Sequence, residues 1–276
     1  MRRISVLVFA MSVFAINVVA EETSDTASQG TSYTAVQDTS NVAVQDTSNV
    51  VAHKTSFSVG VDFQSRYVWR GLPLGGSVPS IQPAATFNWE GLEAGVWGAF
   101  STSTLSTQEL DLYVSYTFWK DMFSVAVTDY CFPTVDHDAN FKYFNYGRNT
   151  THHVFEAGIA FNGTEKVPVK AGFYINFYGN DKNADGNNAY SSYAEVSYNP
   201  SVKKWGVDFD IFAGCALTGY DFYATKNNGF GFINLGAGIT KYIKINDSFS
   251  FPVYTRLIFN PDANQAYFVA GLGISL

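Results

Sequence analysis

The sequence predicts an all-β chain, an antiparallel up-and-down transmembrane β-barrel of about twelve strands. Three observations carry that prediction. From Phe57 onward, apolar and polar residues alternate with a period of two in segment after segment. The apolar face is aromatic-rich, from a chain holding 24 Phe, 17 Tyr and 5 Trp, while the opposite face carries full charges. The connections between segments alternate short and long. A strand greasy on one side and charged on the other suits a wall between lipid and a wet lumen. Barrels of this kind have short turns at one end, longer loops at the other and an even strand count. A soluble sandwich would instead bury one face in a core and leave the other to water.

The elements follow in chain order. Residues 1–20 read as a secretory signal peptide: Arg2 and Arg3 are the basic start, Ile4 to Ala15 the apolar stretch and Val18 to Ala20 the cleavage site. Residues 21–54 read as a low-complexity periplasmic leader, in which Ala35–Asn41 returns unchanged as Ala43–Asn49. Poor in aromatics and rich in Ser, Thr, Asp and Gln, it is expected to be disordered. Residues 55–276 then form the barrel.

The first strand is read from Phe57 to Gly71. Phe57, Val59, Val61, Phe63, Tyr67 and Trp69 face outward; Ser58, Asp62, Gln64, Arg66 and Arg70 face inward, with Arg66 at mid-lumen and Arg70 at the outer mouth. The second turns Ile81, Ala85, Phe87 and Trp89 outward, the third Leu92, Ala94, Val96 and Phe100, the fourth Leu110 to Phe118 at alternate positions. In the fifth, Phe123, Val125 and Val127 face out. Asp129 would follow them into lipid unless the strand bulges near Thr128 or has reached the interface. The sixth shows Phe155, Ala157, Ile159 and Phe161 before an Asn162-Gly163 turn. The seventh runs from Val167 to Phe177, the eighth holds Ala194, Val196 and Tyr198, and the ninth runs from Trp205 to Ala213. The tenth has Ile233, Leu235, Ala237 and Ile239 outward, the eleventh runs from Phe249 to Phe259 and the last from Phe268 to Leu276. Cys131 and Cys215 share the outward parity and read as small apolar residues rather than as a disulfide.

A formal charge of −7 with no Lys/Arg cluster argues against nucleic acid as a partner. The inward faces collect Asp62, Glu93, Glu109, Asp111, Glu156, Glu195, Asp208 and Asp210 against Arg66, Arg70, Lys170 and Arg256. In an open pore this acidic excess would weakly favour cations. The same groups could instead pair across a modest bore and plug it, giving a structural or surface-interaction barrel without transport. A lipid-modifying enzyme is the third reading. Its best match, His137-Asp138-Ala139-Asn140, has alanine where a serine is wanted, and His152 and His153 beside Thr150 and Thr151 read as loop polars, so no catalytic residue is assigned. Asp181, Asn183, Asp185 and Gly186 open like a calcium loop, but its twelfth position is Ser192; it reads as an ordinary external loop. No metal and no cofactor are expected.

The stretch Ser65-Arg66-Tyr67-Val68-Trp69-Arg70-Gly71, followed by Pro79 to Pro83, resembles the opening of the TorF family of porins, whose first strand reads Ser-x-Tyr-x-aromatic-Arg-Gly. The similarity continues through Gly91–Gly98 and Glu109–Tyr116, though the chain ends in Leu276 rather than an aromatic. The resemblance implies a porin-like barrel without naming a solute. Taken together, the expectation is a channel for small polar solutes in a Gram-negative outer membrane. Its partners would be the membrane's lipids, the barrel-assembly machinery during insertion, and the solutes.

Overall fold

The computed structural model describes residues 55–103, 108–133, 141–164, 166–246 and 250–275. The signal peptide, the whole leader and the His137–Asn140 stretch lie outside these residues. Its strands are β1 (Thr55–Gln64), β2 (Ser80–Trp89), β3 (Leu92–Ser101), β4 (Glu109–Phe118), β5 (Phe123–Cys131), β6 (His153–Phe161), β7 (Val169–Gly179), β8 (Ser192–Tyr198), β9 (Ser201–Val202), β10 (Val207–Thr218), β11 (Gly231–Lys244), β12 (Ser250–Asn260) and β13 (Gln265–Ser275). Every neighbour in the wall is antiparallel, and β13 returns to β1 with Gly60 opposite Ser275 and Gln64 opposite Gly271. The two-residue β9 only pairs with the start of β10. Twelve strands therefore close a barrel with no free edge, which satisfies the backbone polar groups a bilayer cannot.

Alternation sets what each face meets. Phe57, Phe63, Phe87, Leu112, Val114, Val125, Ile159, Phe173, Ile211, Leu257 and Phe268 are exposed on the outer wall, while Ser58, Asp62, Thr86, Glu93, Ser115, Glu156 and Asn176 are buried inside. At the short-turn end Tyr116, Phe118, Phe123 and Phe161 form a chain of ring contacts between 5.5 and 6.2 Å, part of an aromatic girdle. The expected alternation of connections holds, except that β12 and β13 are joined by only 261–264. Two strand starts are later than expected: β7 begins at Val169 and β10 at Val207, leaving Val167 and Trp205 exposed in turns.

Three positions depart from the simple ladder, each for a local reason. The first strand ends at Gln64. Residues 65–79 then turn into the bore, so Tyr67, Trp69 and Arg70 are buried inside rather than continuing the wall. On β11 the register shifts opposite Gly214 and Cys215, so Ile233 joins Asn234 on the inside and Phe232 takes the outer place. Asp129 keeps the outward parity, and neither pairing of β5 shifts at Thr128, so the expected bulge is absent. Its carboxylate is met instead by the His153 ring at the long-loop end of β6, with Nδ1 2.6 Å away.

The inserted segment is compact. Trp69 and Leu72 exchange backbone hydrogen bonds, and the Gly75 N–H reaches the Tyr67 carbonyl. Val68 packs with Phe212, Ile258, Tyr267 and Val269 on one side of the bore, while Tyr67 and Trp69 pack with Trp97, Tyr130, Tyr174 and Tyr193 on the other. Gly71 is the point where it touches the wall. Its φ is +75°, a Cβ there would run into the Ile233 carbonyl, and Asn260 Nδ2 donates to the Gly71 carbonyl at 3.1 Å. Gly186 has a similar φ of +78° but open space around it. Gly71→Ala is therefore expected to destabilise the barrel by roughly 2 kcal/mol or more, since strain and overlap add. Gly186→Ala should cost only the left-handed strain, about 1 kcal/mol. Urea unfolding of both variants in detergent checks the difference, and equal losses would remove Gly71 as the contact point.

Candidate functional site

The bore toward the long-loop end is built around one cation. Arg70 Nη1 donates to Glu156 Oε2 at 2.5 Å and to the Tyr223 hydroxyl at 2.5 Å, and Nη2 donates to Glu156 Oε1 at 3.0 Å. Glu156 Oε1 also accepts from the Tyr130 hydroxyl at 3.0 Å. The guanidinium carbon lies 4.4 Å from the Tyr174 ring centroid and 4.5 Å from those of Trp69 and Tyr193. The Arg70 and Glu156 side chains are 4% and 2% exposed. Burial opposes the charge on Arg70, and the Glu156 carboxylate with the surrounding rings and hydroxyls compensates it.

Two loops and six strands make this arrangement, with Glu156 on β6 and Asn234 on β11. Trp69 and Arg70 come from the inserted segment, and Tyr223 from a single π-helical turn, Tyr220–Ala224, between β10 and β11. Trp69 stacks on Tyr223 at 5.9 Å and meets Tyr130 and Phe222 edge-on. Tyr193 stacks on Tyr223 at 5.8 Å and donates to Glu195, and Asn234 donates to Glu195 at 2.8 Å. The rings of Trp97, Tyr130, Tyr174 and Tyr193 reach inward from β3, β5, β7 and β8. Protein atoms thus cross the bore from wall to wall.

The predicted lumen residues divide into groups. Arg70, Glu156 and Glu195 belong to this cluster. Glu109 and Asp111 are fully buried at its margin near Tyr67, with Asp111 Oδ1 accepting the Cys131 N–H at 3.1 Å. Asp62 and Glu93 are buried on the inner faces of β1 and β3, Glu93 beside Tyr113. Toward the short-turn end Lys170, Asp208, Asp210 and Arg256 are only half-buried; Arg256 Nη2 lies 3.3 Å from Asp210 Oδ2, and Lys170 faces the same carboxylate. Arg66 is not at mid-lumen. It sits half-buried beyond the end of β1, bonded to Ser77 and 5.4 Å from the Tyr267 ring, while Arg70 has moved from the expected mouth to the interior.

Sequence reasoning missed Tyr223, Trp97 and Tyr130 as lumen groups. Parity with Glu93 and Thr128 places Trp97 and Tyr130 inside, but Tyr223 lies in a loop where no periodicity applies. The remaining candidates stay apart from the cluster. Both cysteines are free. Asp181 is engaged by the Ser191 N–H and hydroxyl at 2.8 and 2.7 Å, and Asn183 Oδ1 accepts from Asp185 and Asn187. Among the described residues no group of three His, Cys, Asp or Glu is placed to hold a metal ion.

Removing one member of a buried ion pair strands the other charge. Glu156→Ala is expected to cost roughly 3–5 kcal/mol, whereas Tyr223→Phe, which keeps the stack and loses one acceptor, should cost about 1–1.5 kcal/mol. Urea unfolding followed by tryptophan fluorescence measures both, and equal costs would mean that the pair is not what holds the insertion.

Comparison with known proteins places the chain without giving it an activity. No curated protein matches it. Among solved structures, CdiB from Acinetobacter baumannii is similar at a TM-score of 0.37 and 11% identity, over 81% of this chain and 60% of that one. The chain thus spans about 60% of that structure's length. A family model described as "Bacterial protein of unknown function (Gcw_chp)" matches residues 48–207. That match takes in β1 to β8 with the whole inserted segment and more than half of the chain, so the protein belongs to the Gcw_chp family.

Proposed function

We propose that the protein is a porin-like barrel of the outer membrane, of the TorF type, shut at rest and able to pass small polar solutes when its plug yields. The observation that carries this reading is Arg70, held by Glu156 and Tyr223 in the middle of the bore. An aqueous pore has no need to bury a guanidinium among four aromatic rings; a closure does. On the other side of the plug, Lys170, Asp208, Asp210 and Arg256 form a half-buried vestibule that would face the periplasm. Its carboxylates, with Asp62, Glu93, Glu109 and Asp111, support a weak preference for cations once the plug is displaced. The reading assigns no bond chemistry and no cofactor to the chain.

A second reading keeps the barrel permanently closed as a structural or surface-interaction element. It draws on the inserted segment's own backbone bonds and on its contacts to both sides of the bore. Planar-bilayer recording separates the two. The native protein is expected to be silent with rare brief openings, and Arg70→Ala combined with Glu156→Gln, which removes the plug's head without stranding a charge, to give a steady conductance. Further substitution of Asp208 and Asp210 by Asn should lower its cation preference. A steady conductance of the native protein overturns the closed resting state, and silence of the double variant favours the permanent plug.

A further inference from the structure

We propose that residues 141–151, draped over the outside of the barrel, are a clasp for the phosphate-bearing headgroup of an outer-leaflet lipid. Lys142 and Arg148 would take the phosphates and Phe144 would enter the acyl layer. This rests on the outer-membrane reading above, which sets the long-loop end toward the outer leaflet.

The seat comes first. His153 is 0% exposed on the outward parity of β6, with Nδ1 2.6 Å from Asp129 and Nε2 2.5 Å from the Tyr143 carbonyl. Tyr146 packs on the His153 ring at 4.5 Å and on Phe155 at 6.1 Å. The β6–β7 register shifts beside Phe155, which puts Phe177 and Tyr178 side by side against it. The Tyr178 hydroxyl then donates to the Tyr146 carbonyl at 2.6 Å. The segment is therefore fastened to the lipid-facing side of the wall, not folded over its mouth.

Next comes what it presents. Its internal bonds, from Asn145 Nδ2 to the Thr150 carbonyl at 2.7 Å and from the Gly147 N–H to Asn145 Oδ1 at 3.1 Å, keep it in one shape. In that shape Phe141, Tyr143 and Asn145 are half-buried, while Lys142, Phe144 and Arg148 are exposed. Phe144 is 85% exposed, more than any other large apolar residue described. A single exposed phenylalanine needs no explanation, but one held out between two cations on the outer wall fits the level where acyl chains meet headgroups. In a chain of net charge −7, residues 141–152 contain no Asp or Glu. Asp136 and Asp138 precede them in sequence and lie outside the described residues. Among the described residues neither Lys142 nor Arg148 has an ion-pair partner.

Binding of fluorescent lipid A to the full-length protein in zwitterionic detergent tests this. Lys142→Ala with Arg148→Ala is expected to weaken binding by about tenfold or more, and dephosphorylated lipid A should bind the native protein as weakly. Phe144→Ser should cost several-fold. Lys203→Ala with Lys204→Ala, at the short-turn end, should change nothing. Equal binding by the native protein and the first double variant overturns the proposal. So does equal loss in the Lys203/Lys204 control, or competition by millimolar inorganic phosphate as effective as by unlabelled lipid. Flotation of the native protein with vesicles lacking lipid A separates this from the parent reading: failure to float removes the membrane barrel itself, while floating without lipid A preference removes only the clasp.

Discussion

The constraint on which the outer half of this molecule depends is the burial of one permanent positive charge. Arg70 cannot shed its proton at any relevant pH, so its place inside the bore must be compensated by geometry alone. Glu156 supplies the opposite charge in a two-pronged contact, Tyr223 accepts a further bond, and three ring faces cover the planar group. Each requirement recruits a different part of the chain. The carboxylate fixes the insertion against β6, the hydroxyl brings in the turn between β10 and β11, and the rings tie it to β7 and β8. A plug made of apolar side chains alone could slide; one built on a bidentate ion pair has a single register.

The abundance of aromatics takes a different meaning inside and outside the wall. On the outer face they are solvated by lipid and gather near the two interfaces, where the amphipathic rings of Tyr and Trp are most comfortable. Inside, Tyr67, Trp69, Trp97, Tyr130, Tyr174, Tyr193 and Tyr223 fill a bore that a twelve-stranded wall would otherwise leave wet. Tyrosine suits that place because its ring fills volume while its hydroxyl serves a polar network. Asn234 and Glu195 are bound through Tyr193 in this way, and Glu156 through Tyr130. High aromatic content therefore indicates both a membrane wall and a filled lumen.

The wall was legible in the sequence because two solvents impose one period. Lipid on one side and polar lumen on the other leave a mark at every second residue of Val125–Val127 or Val253–Leu257, and the strand pairings follow that mark. The end of β1 was not legible, since any extended chain alternates. Tyr67 and Trp69 continue the greasy parity of Phe63, yet the interior of this barrel accepts aromatic rings as readily as lipid does. Arg66 and Arg70 were recognisable as lumen charges, but which one goes deep depends on Glu156, 86 residues away from Arg70. The misfit at Asp129 was visible as a charge on an apolar face. Its resolution was not, because His153 lies across a long loop and comes into place only when β5 and β6 pair. Ile233 was misplaced for a simpler reason: one extra residue in a ladder reverses the parity beyond it, and apolar residues flank the shift on both sides.

The outer end of β6 ties these features together. Within four residues it turns His153 and Phe155 outward and Val154 and Glu156 inward. The outward pair seats residues 141–151, and the inward glutamate holds the plug. The register shift with β7 falls between Phe155 and Glu156, where the outside seat gives way to the inside anchor. A strand locked on only one face could relax around such an irregularity at little cost. Here a movement that carried Glu156 away from Arg70 would also pull His153 from Asp129 and the Tyr143 carbonyl, so the ion pair in the bore and the cover on the wall restrain the same short piece of backbone. In the gated channel proposed above, the opening of least disturbance would move the inserted segment away from a stationary β6, with the Gly71 contact to β11 as its natural pivot.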